Sequence, residues 1–265
     1  MIFRRLFHIF PLVAVMAACD TVDESDRYIE VEPVEAQRKV LLEEFTGQNC
    51  LNCPDAHKII EKLEEQYGED LIVVSIHAGP FGIPTPAGLM QKEGDEYAKR
   101  WGISSYPAGI VDRNPEVLAM DAWAAAIRNA IEIPSTYEIE LEATVSEDKS
   151  TIDISTTILT SSASSGDCLQ LWVTEDSIVG YQRDGNQRVP DYIHNNVFRA
   201  TVNSEWGEQI NLTPNVYYTA ENFVEIDSEW NLDNVNIVGF VYNQSGVLQC
   251  AKISLRNSGE QGDTE

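Results

Sequence analysis

The spacing of apolar residues changes once along the 265-residue chain, near position 134. Before that point, short apolar runs such as residues 40–45 alternate with stretches like residues 54–67, whose apolar residues recur every three or four positions. This alternation predicts buried strands separated by amphipathic helices. After it, every second residue is apolar, as in residues 137–145, which is typical of half-exposed strands. We therefore predict an α/β domain over residues 38–134 and an all-β sandwich, immunoglobulin-like (Ig-like), over residues 135–256.

Residues 1–18 carry the features of a bacterial secretory signal peptide, with two early arginines, a mostly apolar stretch and small residues before Cys19. The run Met16-Ala17-Ala18-Cys19 resembles a lipobox, whose cysteine receives a lipid anchor after cleavage. The alternative is an ordinary cleaved signal peptide with an incidental cysteine. Residues 19–37 are acidic and poor in apolar side chains, so we expect a flexible tether there. We also predict a disordered tail over residues 257–265.

The charge balance limits the partners of the chain. It has 18 basic and 43 acidic residues, and its net charge is −25. Such a charge repels phosphate, which argues against nucleic acid and against electrostatic binding to anionic lipid. The sequence has no run of 18 apolar residues that would predict a membrane-spanning helix, so we expect attachment to a membrane through lipid alone. The expected partners are exported proteins or peptides, and surface partners bound through the β domain.

Cys50 and Cys53 form a Cys-x-x-Cys-Pro motif between a predicted strand and a predicted helix. An exported protein meets an oxidising compartment, so these neighbouring cysteines are natural partners. The N-terminus of the helix stabilises the Cys50 thiolate, which is the nucleophile in thiol–disulfide exchange, and Cys53 then resolves the mixed disulfide. The motif favours a thiol–disulfide oxidoreductase. The alternative is a non-enzymatic binding protein with a structural disulfide.

Two further cysteines, Cys168 and Cys250, lie in the predicted β domain. They form either a second disulfide or two unpaired buried thiols, and the residues themselves leave both possibilities open. A zinc site is disfavoured because a second closely spaced cysteine pair is missing, so we predict no metal and no cofactor.

Three histidines are predicted to occupy structural positions. His57, four residues after Cys53, is predicted to lie on the helix surface. His77 ends a predicted strand and His194 lies in a polar segment, so backbone hydrogen bonds are expected to satisfy both.

Two segments within residues 39–132 resemble the thioredoxin family. The first, residues 42–53, follows the family's order of strand, acid, Phe, short loop and Cys-x-x-Cys. The second, residues 101–108, matches the aromatic-Gly-Ile segment that leads to a cis-proline. The resemblance implies a thioredoxin-like fold for residues 38–134.

The same resemblance implies roles for individual residues. Glu44 takes the position of the buried acid that assists proton transfer, while Tyr106 and the cis-proline Pro107 hold the substrate peptide. Two positions depart from the family pattern. Asn49 stands where the family has a tryptophan, and Ser75 stands where it has a lysine close to the buried acid.

The chain after the signal peptide is similar to the outer-membrane-protein-28-related lipoproteins of Bacteroidetes. The similarity rests on the lipobox and on residues 46–54 and 191–199, which look like two signatures of that family. It implies a lipid-anchored protein of the cell envelope, on the periplasmic or the surface face of the outer membrane. The two functional hypotheses are thiol–disulfide exchange on exported proteins and adhesin-like binding or assembly.

Overall fold

The computed structural model describes residues 38–258, which belong to one compact unit. The predicted signal peptide, the lipidation site Cys19 and the tether over residues 19–37 lie outside the described residues. The predicted tail lies outside them from residue 259 onward. Residues 257–258, which were predicted to begin that tail, instead end a short helix.

The described residues contain four α-helices and thirteen strands. The helices are α1 (Cys53–Tyr67), α2 (Lys92–Trp101), α3 (Trp123–Ile131) and α4 (Leu255–Ser258). The strands are β1 (Val40–Thr46), β2 (Leu71–His77), β3 (Ala108–Val111), β4 (Tyr137–Val145), β5 (Thr151–Thr160), β6 (Cys168–Glu175), β7 (Ile178–Asp184), β8 (Gln187–His194), β9 (Val197–Thr201), β10 (Glu208–Gln209), β11 (Tyr218–Glu225), β12 (Val235–Asn243) and β13 (Gly246–Ser254). The fold is therefore mixed α/β, with strands predominating.

The N-terminal half is organised around β1. This strand pairs in parallel with β2, to which α1 connects it, and β3 pairs antiparallel along its other edge. Leu42 and its neighbours on one face of the sheet pack against α1 and α3, including the buried Trp123. Leu41 and its neighbours on the other face pack with Tyr97 of α2. Because helices cover both faces, the strands read as nearly continuous apolar runs in the sequence.

The second edge of β2 is occupied by β9, which comes from the C-terminal half. Ser75 pairs with Val197 in parallel, and the Ser75 backbone N–H donates to the Asn196 carbonyl at 2.7 Å. From β9 the same sheet continues through β6, β12 and β13, and β10 also pairs with β6. Strands from both sides of position 134 thus form one eight-stranded sheet. The sequence did not predict this shared sheet, because periodicity does not encode which distant strand fills an edge.

A second, three-stranded sheet contains β4, β5 and β11. Alternate residues of β5 point inward, and Ile152 and Ile154 pack in one cluster with Leu171 of β6 and Ile237 of β12. The predicted alternating strands at β4 and β5 are confirmed. They face part of the shared sheet, however, so the structure does not show a separate Ig-like sandwich. The β7–β8 hairpin forms a third, two-stranded sheet.

A buried charged pair lies where the two halves of the chain meet. Arg113 Nε, just after β3, is 3.5 Å from Glu43 Oε1 of β1, and both side chains are almost fully buried. The guanidinium carbon lies 4.3 Å from the ring centre of Tyr242 and 4.6 Å from that of Phe240, both on β12. Burial raises the pKa of the Glu43 carboxyl, against the opposing effect of the Arg113 charge. Contacts with aromatic ring faces offset part of the cost of removing the arginine from water.

A fragment that ends at residue 134 should not fold by itself. It would expose the edge of β2 and lose Trp172 and Phe198, which pack in the same core as Tyr97. We expect residues 38–134 to unfold without a cooperative thermal transition and to show weak amide protection in hydrogen exchange, whereas the full chain shows both. Cooperative unfolding of the fragment would contradict the dependence of one half on the other.

Candidate redox site

Cys50 and Cys53 are joined by a disulfide at the start of α1. Cys50 lies in the loop after β1, and Cys53 is the first residue of the helix, with a Cα–Cα separation of 5.5 Å. Pro54 occupies the first turn, where the missing backbone N–H costs no helical hydrogen bond. The local sequence therefore places both sulfurs at the positive end of the helix dipole, where a thiolate is stabilised.

The β7–β8 hairpin closes over the disulfide. The buried Gln182 side chain donates to the Cys50 carbonyl at 3.1 Å and to the Gly47 carbonyl at 3.3 Å. Backbone hydrogen bonds from Arg183 to the Gln48 carbonyl and from Gly185 to the Leu51 carbonyl continue this contact. Cys50 is 2% exposed and Cys53 is 0% exposed. In this arrangement neither cysteine is open to a protein substrate.

The Tyr106–Pro107 peptide bond is cis and immediately precedes β3. The Tyr106 ring lies 5.6 Å from the Phe81 ring, and the Phe81 carbonyl accepts a hydrogen bond from the Asn49 backbone at 2.9 Å. Tyr106 is thus linked through Phe81 to the loop that carries Cys50. Burial raises the pKa of the Tyr106 hydroxyl to about 12.

Glu44 is fully buried on the face of β1 that packs against α1. Neither of its carboxylate oxygens accepts a hydrogen bond from residues 38–258. The nearest basic group is His57, whose Nε2 lies 3.6 Å from Glu44 Oε1. His57 also contacts the Thr46 hydroxyl at 3.1 Å and the Tyr192 hydroxyl of β8 at 2.7 Å. The prediction that His57 lies on the helix surface is therefore wrong, because β8 covers that side of α1.

His77 and His194 form a buried pair beside His57, with ring centres 5.4 Å apart. Burial lowers the pKa of His77 well below its ordinary value, and burial lowers that of His194 to about 4. The nearby basic histidines act in the same direction. All three histidines and Tyr192 line a small cavity of about 30 Å³, enough for about one water molecule. Both buried rings are accordingly neutral near pH 7.

Cys168 and Cys250 are free thiols, so the open possibility of a second disulfide is resolved against it. They lie on β6 and β13, and β12 runs between these two strands. Two strand spacings amount to about 9.5 Å, which exceeds the Cα separation that a disulfide spans. Burial raises the pKa of both thiols.

The structure brings together part of the predicted site and adds residues that local sequence reasoning missed. Gln182, which contacts Cys50, and Tyr192, which contacts His57, both lie more than 130 positions after Cys50. Nothing in their immediate sequence neighbourhood predicts these contacts. A signal for Tyr192 and His194 was present in residues 191–199, the second family signature. The resemblance singled out this segment but did not indicate that it packs on α1.

Within residues 38–258, no helix is both long and apolar enough to cross a membrane. Over the same range, no three His, Cys, Asp or Glu side chains are grouped so that they could hold a metal ion.

Fold and site together define a mixed α/β protein whose disulfide opens a helix and is covered by a distant hairpin. A family model described as outer membrane protein Omp28 matches residues 94–258. Since this match covers more than half of the chain, the chain belongs to the Omp28 family. No curated protein sequence matched the chain.

Solved structures give a further comparison. HBP35 of Porphyromonas gingivalis is 17% identical, with a TM-score of 0.65 over 86% of this chain and 78% of that one. A protein from Agrobacterium tumefaciens is 14% identical, with a TM-score of 0.51 over 88% of this chain and 98% of that one. A domain of the outer membrane lipoprotein Omp28 from Porphyromonas gingivalis is 18% identical, covers 46% of this chain and 88% of its own, and has a TM-score of 0.33. At these identities the first two likenesses show the fold alone.

The neutral state of His194 predicts a pH dependence of stability. In the unfolded chain its imidazole takes up a proton near pH 6.5, but in the folded chain only near pH 4. The unfolded state therefore binds more protons between these values, and stability is lost as the pH falls through this window. His194→Gln should remove a loss of up to about 1.4 kcal/mol per pH unit, measured by urea unfolding at pH 7 and pH 5.

Buried carboxyls such as Glu43 and Asp112, whose pKa is raised by burial, titrate in the opposite direction. They are present in both proteins and cancel in the comparison of the variant with the unmodified chain. Equal losses of stability in the two proteins between pH 7 and pH 5 would contradict the assignment of His194 as a buried neutral group.

Proposed function

We propose that this chain is a lipid-anchored protein of the outer membrane whose Cys50–Cys53 pair exchanges disulfides with exported proteins. The observation that carries the proposal is the disulfide at the start of α1, the helix that follows β1, together with the cis Tyr106–Pro107 bond that leads into β3. The strands β1 and β3 are neighbours in one sheet. Membership of the Omp28 family supports the envelope location. Lipid at Cys19 would supply the attachment, with the periplasmic or surface face left to experiment.

In this proposal residues 38–134 form a thioredoxin-like unit that is completed by strands of the C-terminal half. The parallel pair β1 and β2, the antiparallel β3 and the helix that begins at Cys53 support this interpretation. The likeness to HBP35 in fold supports it as well. The strand β9 occupies the edge of β2, so the unit does not end with its own strands.

The exchange reaction follows from the oxidised pair. A substrate thiolate attacks Cys50 Sγ, the Cys50–Cys53 bond breaks, and Cys53 leaves as a thiolate that takes up a proton. A second substrate thiol loses its proton and attacks the substrate sulfur of the mixed disulfide, which releases the Cys50 thiolate. The substrate is oxidised by two electrons and the protein is reduced by two. The same steps in reverse, starting from the reduced pair, reduce a substrate disulfide, and Cys53 then resolves the mixed disulfide. Tyr106 and Pro107 would hold the substrate chain beside Cys50.

Burial of the disulfide favours a second candidate function. If the hairpin never leaves Cys50, the disulfide is structural, and the chain acts as an adhesin-like or assembly protein. Exposed apolar side chains offer contact surface for that role. On the hairpin, Val179 is 67% and Ile193 is 58% exposed, and on β11 Phe223 is 64% exposed.

The reduction potential of the pair separates the two functions. We expect a value between about −270 and −120 mV, the range of exchange catalysts, by titration in glutathione buffers with thiol counting by mass spectrometry. Cys50→Ser should abolish reduction of a model disulfide by the reduced protein, while Cys168→Ser, which changes a distant thiol, should not. A potential below about −300 mV would mark a structural disulfide and favour the binding protein.

The hairpin contact predicts a size-dependent reactivity. Gln182→Ala removes two hydrogen bonds to the Cys50 loop, each worth about 1 kcal/mol, so the disulfide should be reduced about 5- to 30-fold faster by a protein dithiol. Gln187→Ala, an exposed change at the hairpin tip, is the matched control and should leave the rate unchanged. Equal rates for the two variants would show that the hairpin does not limit access.

A further inference from the structure

We propose that His57 is a positioning residue that carries protons between solvent and Glu44, and so sets the rate at which Cys53 ionises. The inference rests on the proposed exchange function and names a residue that the thioredoxin resemblance does not supply. Its basis is the juxtaposition of the Glu44 carboxylate, the His57 imidazole and the Tyr192 hydroxyl beneath the first turn of α1.

The position of Glu44 relative to Cys53 follows from the helix. Cys53 and His57 are four residues apart on α1 and therefore lie on the same face, one turn from each other. His57 reaches Glu44 from that face, with 3.6 Å between Nε2 and Oε1. Glu44 thus lies against the face of α1 that also carries Cys53, and neither of its carboxylate oxygens accepts a hydrogen bond from residues 38–258.

A buried carboxylate needs a route by which protons reach it and leave it. Ser75, opposite Glu44 in the β1–β2 register, has no basic group to offer. His57 does, and its side chain is 15% exposed while that of Glu44 is 0% exposed. The cavity of about 30 Å³ that His57 lines is large enough for about one water molecule.

Tyr192 fixes the orientation of the imidazole. Its hydroxyl lies 2.7 Å from Nδ1, and in this proposal the hydroxyl oxygen accepts a hydrogen bond from Nδ1–H. The unprotonated nitrogen of the neutral ring is then Nε2, which faces Glu44 and Thr46 and can take up the proton. The β7–β8 hairpin therefore contributes Tyr192 to the site and also covers Cys50.

Cys53 must lose a proton before it can resolve the mixed disulfide. In the mixed disulfide, the Cys53 thiol gives its proton to the Glu44 carboxylate, and the Cys53 thiolate attacks Cys50 Sγ. The Cys50–Cys53 bond forms, the bond from Cys50 to the substrate sulfur breaks, and the substrate leaves as a reduced thiolate. Glu44 returns to the carboxylate when its proton passes to His57 and from there to water.

Several other titratable or charged groups face His57 or act on the same cluster, and a pH profile contains their contributions. They are Glu44 on β1, Asp55, Glu61 and Glu64 on α1, His77 on β2, Asp184 on β7, Tyr192 and His194 on β8, and Arg199 on β9. The test therefore compares variants at each pH instead of assigning a single titration midpoint.

The resolving step is measured with the reduced full chain and an aromatic disulfide, 5,5′-dithiobis(2-nitrobenzoate). The free thiols Cys168 and Cys250 would also react with this reagent, so Cys168→Ser and Cys250→Ser are present in every protein compared, and the protein that carries only these two changes serves as the unmodified chain. The first nitrothiolate released reports attack by Cys50, and the second reports attack by Cys53. We expect His57→Gln to slow the second release about tenfold at pH 7, with the first unchanged, and Glu44→Gln to slow it about 100-fold. The deficits should shrink toward pH 9, where hydroxide ionises Cys53 directly.

Three further variants separate this role from a structural one. Lys58→Gln removes an exposed cation from the same helix and should behave as the unmodified chain. His57→Gln added to Glu44→Gln should cause no further slowing, because the two residues act in one route. Tyr192→Phe, which leaves both residues in place, should slow the second release to a smaller extent.

The outcomes distinguish this inference from the function on which it rests. If the unmodified chain releases no second nitrothiolate, the exchange function fails and the inference fails with it. If it releases both, and His57→Gln matches it at every pH or slows both releases equally, the exchange function stands and the role of His57 is overturned.

Discussion

Backbone pairing at the edge of β2 is the interaction on which the remaining structure depends. A strand pair with one open edge is a poor fold by itself, because unpaired backbone groups and an uncovered apolar face remain. In this chain β9 fills that edge, beginning with the Ser75–Val197 pair. Once β9 is in place, β6 and β12 follow in the same sheet. Asn196, between β8 and β9, accepts a hydrogen bond from the Ser75 backbone and donates one to Glu64 of α1, which holds the end of the hairpin close to that helix.

Buried charged residues lie where the two halves meet, and their contacts differ. Arg113 is enclosed by aromatic rings and lies near Glu43. Glu44, the next residue on β1, faces the opposite side of the sheet and lies 3.6 Å from His57. Alternation along one strand thus sends two neighbouring acids to two different environments. One acid helps to join the halves, and the other lies against α1 beside His57.

The sequence was informative where the signal is local. The strands β1 and β2, the helix after Cys53 and the alternating strand β5 were predictable because their apolar periodicity reports which face each element buries. The partner of β2 was not predictable in this way, since edge pairing depends on backbone groups that every residue carries. The environment of His57 was missed for the same reason. A helix position appears exposed until the strand that covers it is known.

The distance along the chain between the cysteines and the hairpin has a consequence for the order of events as the protein is made. The chain emerges from its N-terminus, so Cys50 and Cys53 appear more than 120 residues before Gln182. During that interval the two thiols are open to any oxidant in the compartment they enter. The chain order therefore allows the disulfide to form before the hairpin is available to enclose it.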